Sequence, residues 1–302
     1  MNDLVKTGQK KIEVKVTKKR IMYVGELESL LLDKYPAEDA VEGDKTGLLV
    51  GDPLARVERV AVALDPTLSA LEATKAAGAN VLLTHHPAFR SGVDGFYPKE
   101  TAGMTCGSVV YEAIKNNIAL MNFHTALDVS ADAQRVLPSL LHLVPLKGTR
   151  KVGGVKVKNK VLLPNAGSKS KGLGQVCRVS GDVKLGEMAS RCTSVFGRAP
   201  RVWGDADENV RSVVTATGSA GNLVDLCIMN NVDLLIAGEV KYHDALAALE
   251  SGLSIIDLGH DVSELPLAAV LANACKKVGL RPSQIVILDQ SHNWQQTSSI
   301  TI

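Results

Sequence analysis

The chain alternates short apolar runs with stretches in which apolar residues recur at helical spacing. In Val57–His86 (VERVAVALDPTLSALEATKAAGANVLLTHH) a β-branched run leads through a turn into a helical stretch, and a second apolar run, Ala79–Leu83, follows. Val210–Glu239 (VRSVVTATGSAGNLVDLCIMNNVDLLIAGE) repeats this pattern without a gap, 153 residues on, with Val232–Ile236 as its second run. Further along, Ile118–Asp128 (IALMNFHTALD) resembles Leu253–Glu264 (LSIIDLGHDVSE). Each is an apolar run followed by a histidine and, four residues later, a carboxylate: His124 with Asp128, and His260 with Glu264. Strand-length runs separated by helical stretches predict parallel βαβ units. The expected fold is therefore α/β, with two similar lobes from an internal repeat, each a mainly parallel sheet with flanking helices. The repeat divides the chain into a first unit over 21–144, a connecting segment over 145–207 and a second unit over 208–302.

In parallel sheets, ligand-binding residues sit in the loops after the carboxyl ends of the strands. His85 and His86 follow Val81–Leu83, His124 follows Ile118–Met121, and His260 follows Ile255–Ile256. Adjacent histidines in a loop point in different directions, so His85 and His86 suit two neighbouring ions better than one. His260 and Glu264 share a face if a helix begins after Ile256; a helix cap or an exposed pair is the alternative. Imidazole and carboxylate without thiolate suit Zn, Fe, Mn, Co or Ni rather than a structural zinc cage.

Composition narrows the function classes. Only 4% of residues are aromatic, which argues against a base-stacking surface for single-stranded nucleic acid. The net charge of +2 hides an uneven distribution. Residues 1–20 hold seven Lys/Arg and two acids, and the rest holds 27 basic and 30 acidic residues. That basic extension reads as a solvated tail, with an arm for an anionic surface as the alternative. No apolar run is long enough to span a bilayer and no signal peptide is visible, so a cytoplasmic location is expected. The five cysteines are scattered without a C-x-x-C and read as reduced and buried. In the connecting segment, Lys169, Ser170 and Lys171 form a solvated loop or a phosphate contact. Leu185–Gly197 is a short helix candidate. Gly172-Leu173-Gly174 lacks the context of a dinucleotide fingerprint.

The segments DKTGLLVGDP (Asp44–Pro53), VALDPT (Val62–Thr67), LLTHHPAF (Leu82–Phe89), NFHTALD (Asn122–Asp128), AGEVKYHDA (Ala237–Ala245) and DLGHDVSE (Asp257–Glu264) occur in this order. In that order and spacing the chain resembles the Nif-three-like dinuclear metal-centre family, often named type 2 GTP cyclohydrolase I. The resemblance implies two divalent ions per chain. His86 and Asp128 would hold one ion, His85 and His260 the other, and Glu264 both. It places His124 and His243 near the site; in a hydrolase one or the other would move protons. It also implies a ring-like homohexamer.

The activity that follows is a metal-dependent hydrolase using a metal-bridging hydroxide, with a purine nucleotide as the family's suggested substrate. The alternative is a non-enzymatic metal store, or a metal-stabilised scaffold for a partner. Neither a membrane nor a nucleic-acid partner is expected. Two features depart from the family pattern: Gln175 stands where many relatives have Arg, and the chain lacks room for the large inserted middle domain of some members. The basic extension is not part of the shared pattern either.

Overall fold

The computed structural model describes residues 21–102, 105–147, 160–165 and 171–294, together with the backbone of 151–152 and 155–156. The basic extension, Lys169 and Ser170 lie outside the described residues. The labelled strands are β1 (Gly47–Val50), β2 (Val60–Ala63), β3 (Val81–Thr84), β4 (Ala119–Asn122), β5 (Gly172–Lys184), β6 (Arg201–Trp203), β7 (Asn209–Ser219), β8 (Leu234–Glu239), β9 (Ser254–Asp257) and β10 (Ile285–Ile287). The labelled helices are α1 (Val24–Leu32), α2 (Leu68–Ala76), α3 (Cys106–Lys115), α4 (Leu185–Phe196), α5 (Val224–Met229), α6 (Tyr242–Glu250) and α7 (His260–Lys277).

Among the described residues there are two main sheets. The first runs β1-β4-β3-β2-β10, and the second runs β6-β9-β8-β7-β5, with short strands at Val144–Pro145 and Val161–Pro164 also on β5. Strands β2, β3 and β4 are buried at every position, because helices cover both faces of the sheet. The internal repeat is visible in the pairing. Val60, Val81 and Ala119 stand abreast in the first sheet, and Val213, Leu234 and Ser254 in the second. An antiparallel strand borders each trio, β1 on β4 and β6 on β9.

The register also corrects one correspondence. Asn122 occupies the place of Asp257, so His124 matches Gly259, and not His260. The helix starts agree: His124 precedes the turn Thr125–Asp128 as Gly259 precedes α7. Aligning the two histidines slipped the pattern by one residue.

The sheets divide the chain differently from the repeat boundaries. Residues 145–207 do more than connect, since β5, β6 and α4 are part of the second sheet and its cover. Conversely β10 pairs in parallel with β2, so the segment after α7 returns to the first sheet. Helix α7 crosses between them. Val262 packs in the core of the second sheet, while Leu267, Leu271 and Cys275 pack against Leu27, Val62 and Met121 of the first. This crossing carries His260 and Glu264 to the strand ends of the first sheet.

Four cysteines are buried and Cys106 is exposed, all with free thiols. Burial pushes the thiols of Cys177, Cys192, Cys227 and Cys275 up to about 12. Among the described residues no helix is long and apolar enough to cross a membrane.

Candidate metal centre

The site forms where the carboxyl ends of β3, β4 and β7 meet the first turns of α7. Phe123 is buried against Tyr35, with ring centroids 5.8 Å apart, which fixes the backbone after β4. Its carbonyl lies 3.0 Å from His85 Nδ1. A carbonyl only accepts, so Nδ1 carries the proton and Nε2 is the free atom. The other three imidazoles are held in the same way by carboxylates. His86 Nδ1 is 2.7 Å from Asp65 Oδ1, His124 Nδ1 is 3.0 Å from both oxygens of Asp44, and His260 Nδ1 is 3.1 Å from Glu239 Oε2. Orienting one ring nitrogen by an acceptor so that the other is free is how proteins prepare histidine to bind metal.

The free atoms converge on two buried carboxylates. His85 Nε2 is 3.6 Å from both Asp128 Oδ1 and Glu264 Oε1. Glu264 Oε2 is 2.9 Å from His86 Nε2 and 3.2 Å from His260 Nε2. The His86–Glu264 pair is close without the alignment of a hydrogen bond, and His85 Nε2, His86 Nε2 and Glu264 Oε2 are buried without a partner. Lone pairs of neutral imidazoles facing carboxylates repel. A cation or a proton between them removes the repulsion, so the donor set fits a divalent metal.

Three groups of possible ligand atoms lie within 4.8 Å of one another: His85, Asp128 and Glu264; His86, His260 and Glu264; and His85, His86 and His124. All five expected ligands therefore come together, with His124 beside them. The grouping differs from the one the resemblance implied. Asp128 falls with His85 and His260 with His86. His243 is not brought in. It is exposed on the first turn of α6, with its ring 5.3 Å from Tyr242.

Asp44, Asp65 and Glu239 were not singled out from the sequence. Glu239 was the most accessible of them, since it occupies the place of His86 in the repeat. Gln175 is fully buried, and its amide donates to the carbonyls of Lys160 and Val176, so it makes no anion contact. Lys171 pairs with Asp39.

The charges balance through proximity. Burial alone would raise Glu264, but His260, His85 and His86 hold it far below the carboxylate range. Burial raises Asp128. Burial alone would lower His85, yet Asp128 and Glu264 raise it. His260 is pushed up to about 9, chiefly by Glu264; His86 also reaches about 9, with Asp65 and Glu264 outweighing its burial.

A raised folded pKa adds stability that is complete below the unfolded value of 6.5 and is lost as pH rises through about 9. Metal loading needs both rings neutral and so displaces these protons. Thermal melts are expected to show the chelator-treated protein losing stability from pH 6.5 to 9. Metal affinity should strengthen over the same window. Parallel trends would contradict this account.

The second copy makes room for the first. At the place of Asp65 stands Gly218, with φ of 63°, and at the place of His85 stands Gly238. A Cβ on Gly218 would overlap Glu264 Oε1, and one on Gly238 would overlap Ser263 Oγ. Gly218→Ala should therefore displace the Glu264 carboxylate, besides costing about 1–2 kcal/mol for the left-handed backbone. Elemental analysis is expected to show lost metal in a variant whose circular dichroism is unchanged. Full metal content would remove the proposed crowding.

The family pattern of Duf34/NIF3 (NGG1p interacting factor 3) matches residues 22–293. The chain belongs to this family. A Streptomyces coelicolor relative named GTP cyclohydrolase 1 type 2 homolog is 30% identical over 236 residues, covering 77% of this chain and 78% of its own. A Clostridium acetobutylicum protein of the same name is 26% identical over 268 residues, covering 87% and 94%. Among solved structures, a Bacillus cereus protein related to NIF3 superimposes with a TM-score of 0.74 at 21% identity, covering 94% of this chain and all of its own. A Staphylococcus aureus hypothetical protein gives 0.75, also at 21% identity, covering 91% and 99%. The NIF3 fold is thus shared over nearly the whole chain.

Proposed function

We propose that the His/Asp/Glu cluster holds two divalent cations and that this NIF3-family protein is a metal-dependent hydrolase. The observation that supports the reading is Glu264, a buried carboxylate whose two oxygens each face imidazoles of a different group. When bound, such a pair of cations supplies Lewis acidity and activates water. The name carried by the relatives suggests a purine nucleotide as substrate. The homohexameric state belongs to this proposal through the family resemblance alone, and the cytoplasmic location through the sequence expectation.

The chain's own residues supply orientation and proton transfer. Thr217 Oγ1 donates to Asp128 Oδ1 at 3.3 Å and steadies it. Asp44 is tied in place by Thr125, whose hydroxyl and backbone N–H both donate to Oδ2, at 2.5 and 3.1 Å. His124 and Thr125 hold Asp44 well below the usual carboxylate range despite its partial burial. Ionised Asp44 fixes the His124 tautomer and stabilises the imidazolium that forms when Nε2 takes a proton. His260 and Glu239 are 40% and 51% exposed at the side chain, so substrate can approach from that side.

His124→Asn keeps a hydrogen-bonding group but cannot carry the proton. We expect two ions per chain to remain, while turnover in a panel of nucleotides and phosphoesters falls by about 10²–10⁴-fold. Metal lost in proportion to activity would make His124 a ligand. Full metal with no turnover of any substrate by the parent protein would favour a metal store or scaffold.

A further inference from the structure

At the opposite end of the second sheet is a cleft of about 480 Å³ that the hydrolase reading does not use. That volume falls in the range of roughly 300–1,000 Å³ typical of small-molecule sites. Its floor is apolar, formed by Leu162, Val176 and Val232. Its charged lining is Lys160, Arg178 and Arg211, with no acidic side chain. Asp233 is nearby, but its Oδ2 accepts the backbone N–H groups of Arg211 and Ser212 at 2.9 and 2.8 Å. Among the described residues no carboxylate pairs with the three cations, whereas Arg198 and Arg201 elsewhere bind Asp261 and Asp257. Ser212 and Asn230 add polar groups to the wall.

The local charge is out of keeping with the rest of the chain. Lys160 belongs to a run, residues 147–171, with eight Lys/Arg and no acid. Setting aside that run and residues 1–20 leaves 19 basic against 30 acidic residues. Three cations with no carboxylate partner among the described residues, on an otherwise acidic body, attract anions, and guanidinium groups match phosphate oxygens in geometry. The cleft is remote from the metal centre. Ser212 and Gly218 lie at opposite ends of β7, six residues and so about 20 Å apart.

We propose that this cleft binds a small phosphate-bearing ligand of nucleotide size, with the phosphates on Arg178, Arg211 and Lys160 and the apolar portion on Leu162 and Val232. A bounded concavity with an apolar floor favours a small molecule over a nucleic-acid backbone, which needs only an open basic surface.

The test is calorimetric titration of the full chain with inorganic pyrophosphate and with ADP, before and after chelator treatment. Saturable binding of one equivalent is expected after chelator treatment, and the same equivalent should persist in the metal-loaded protein beside any binding at the metal centre. Removing two charge-assisted contacts in Arg178→Ser/Arg211→Ser should weaken it by about tenfold or more. Both side chains are exposed, so the variant's melting temperature and metal content should match the parent's. Lys160→Ser gives an independent, smaller loss. Binding absent, abolished by chelator, or unchanged in the variants would overturn the proposal. So would binding confined to long duplex DNA with steep salt dependence, which marks a diffuse basic surface.

Discussion

Glu264→Ala is expected to abolish metal loading altogether, leaving a folded protein with neither ion. The carboxylate is 2% exposed, and three imidazoles, of His85, His86 and His260, point at it from within 3.6 Å. Removing a partner that merely orients a ligand costs roughly 10–100-fold in metal affinity. Removing the one oxygen donor common to both groups must cost more. The fold is less exposed to the change, because the imidazoles can shed their protons and stay neutral in the gap. Glu264→Gln, with one carbonyl oxygen and no charge, should be intermediate. Asp128→Ala should chiefly weaken the ion beside His85, since Asp128 groups with His85 and not with His260. The measurement is metal content after reconstitution with Zn, Mn or Fe, alongside circular dichroism. Two ions retained by Glu264→Ala would remove it as the shared ligand.

How far the sequence carried the site follows from what periodicity can encode. His85, His86 and His260 were legible because each closely follows an apolar strand run, and Asp128 and Glu264 because each stands four residues after such a histidine; a parallel sheet gathers these positions at one edge. Their division between two groups was not legible, because it depends on how α7 leans across the first sheet. The acceptors behind the rings were also hidden. Asp44 reaches His124 across 80 residues of chain, and Asp65 reaches His86 across 21. Neither separation has a periodic signature. Leu185–Gly197 was legible as a helix, and α4 occupies Leu185–Phe196, but the correspondence between the edge strand and helix before each trio was hidden for a different reason. α1 and β1 share with α4 and β6 a place in the fold, but no alignable sequence. The slip that set His124 against His260 shows the same limit: matching by residue type overrode a register that only the ladder reveals.

The first lobe is expected not to fold on its own. A fragment of residues 21–144 contains four of the five strands of its sheet, yet lacks α7 and β10. Leu267, Leu271 and Leu280 are almost completely buried in its core. Each is worth roughly 1.5–3 kcal/mol on burial, so their loss alone approaches the total stability of about 5–15 kcal/mol of an ordinary domain. β10 also satisfies the backbone of β2, with Ile285 opposite Val60. Just beyond it, Gln290 Oε1 accepts the N–H groups of Leu64 and Asp65 at 2.8 and 2.9 Å, and its amide donates to the Asp65 carbonyl at 3.0 Å. Asp65 is the residue that holds His86, so Gln290 braces the candidate metal centre as well as the sheet. The fragment should give a poorly dispersed NMR spectrum and no cooperative melt. In the full chain, Leu271→Ala should cost about 2–5 kcal/mol and lower the melting temperature without changing metal stoichiometry. A fragment that melts cooperatively would show that the returning helix and strand are dispensable, and that the repeat boundary, rather than the sheet, marks the folding unit.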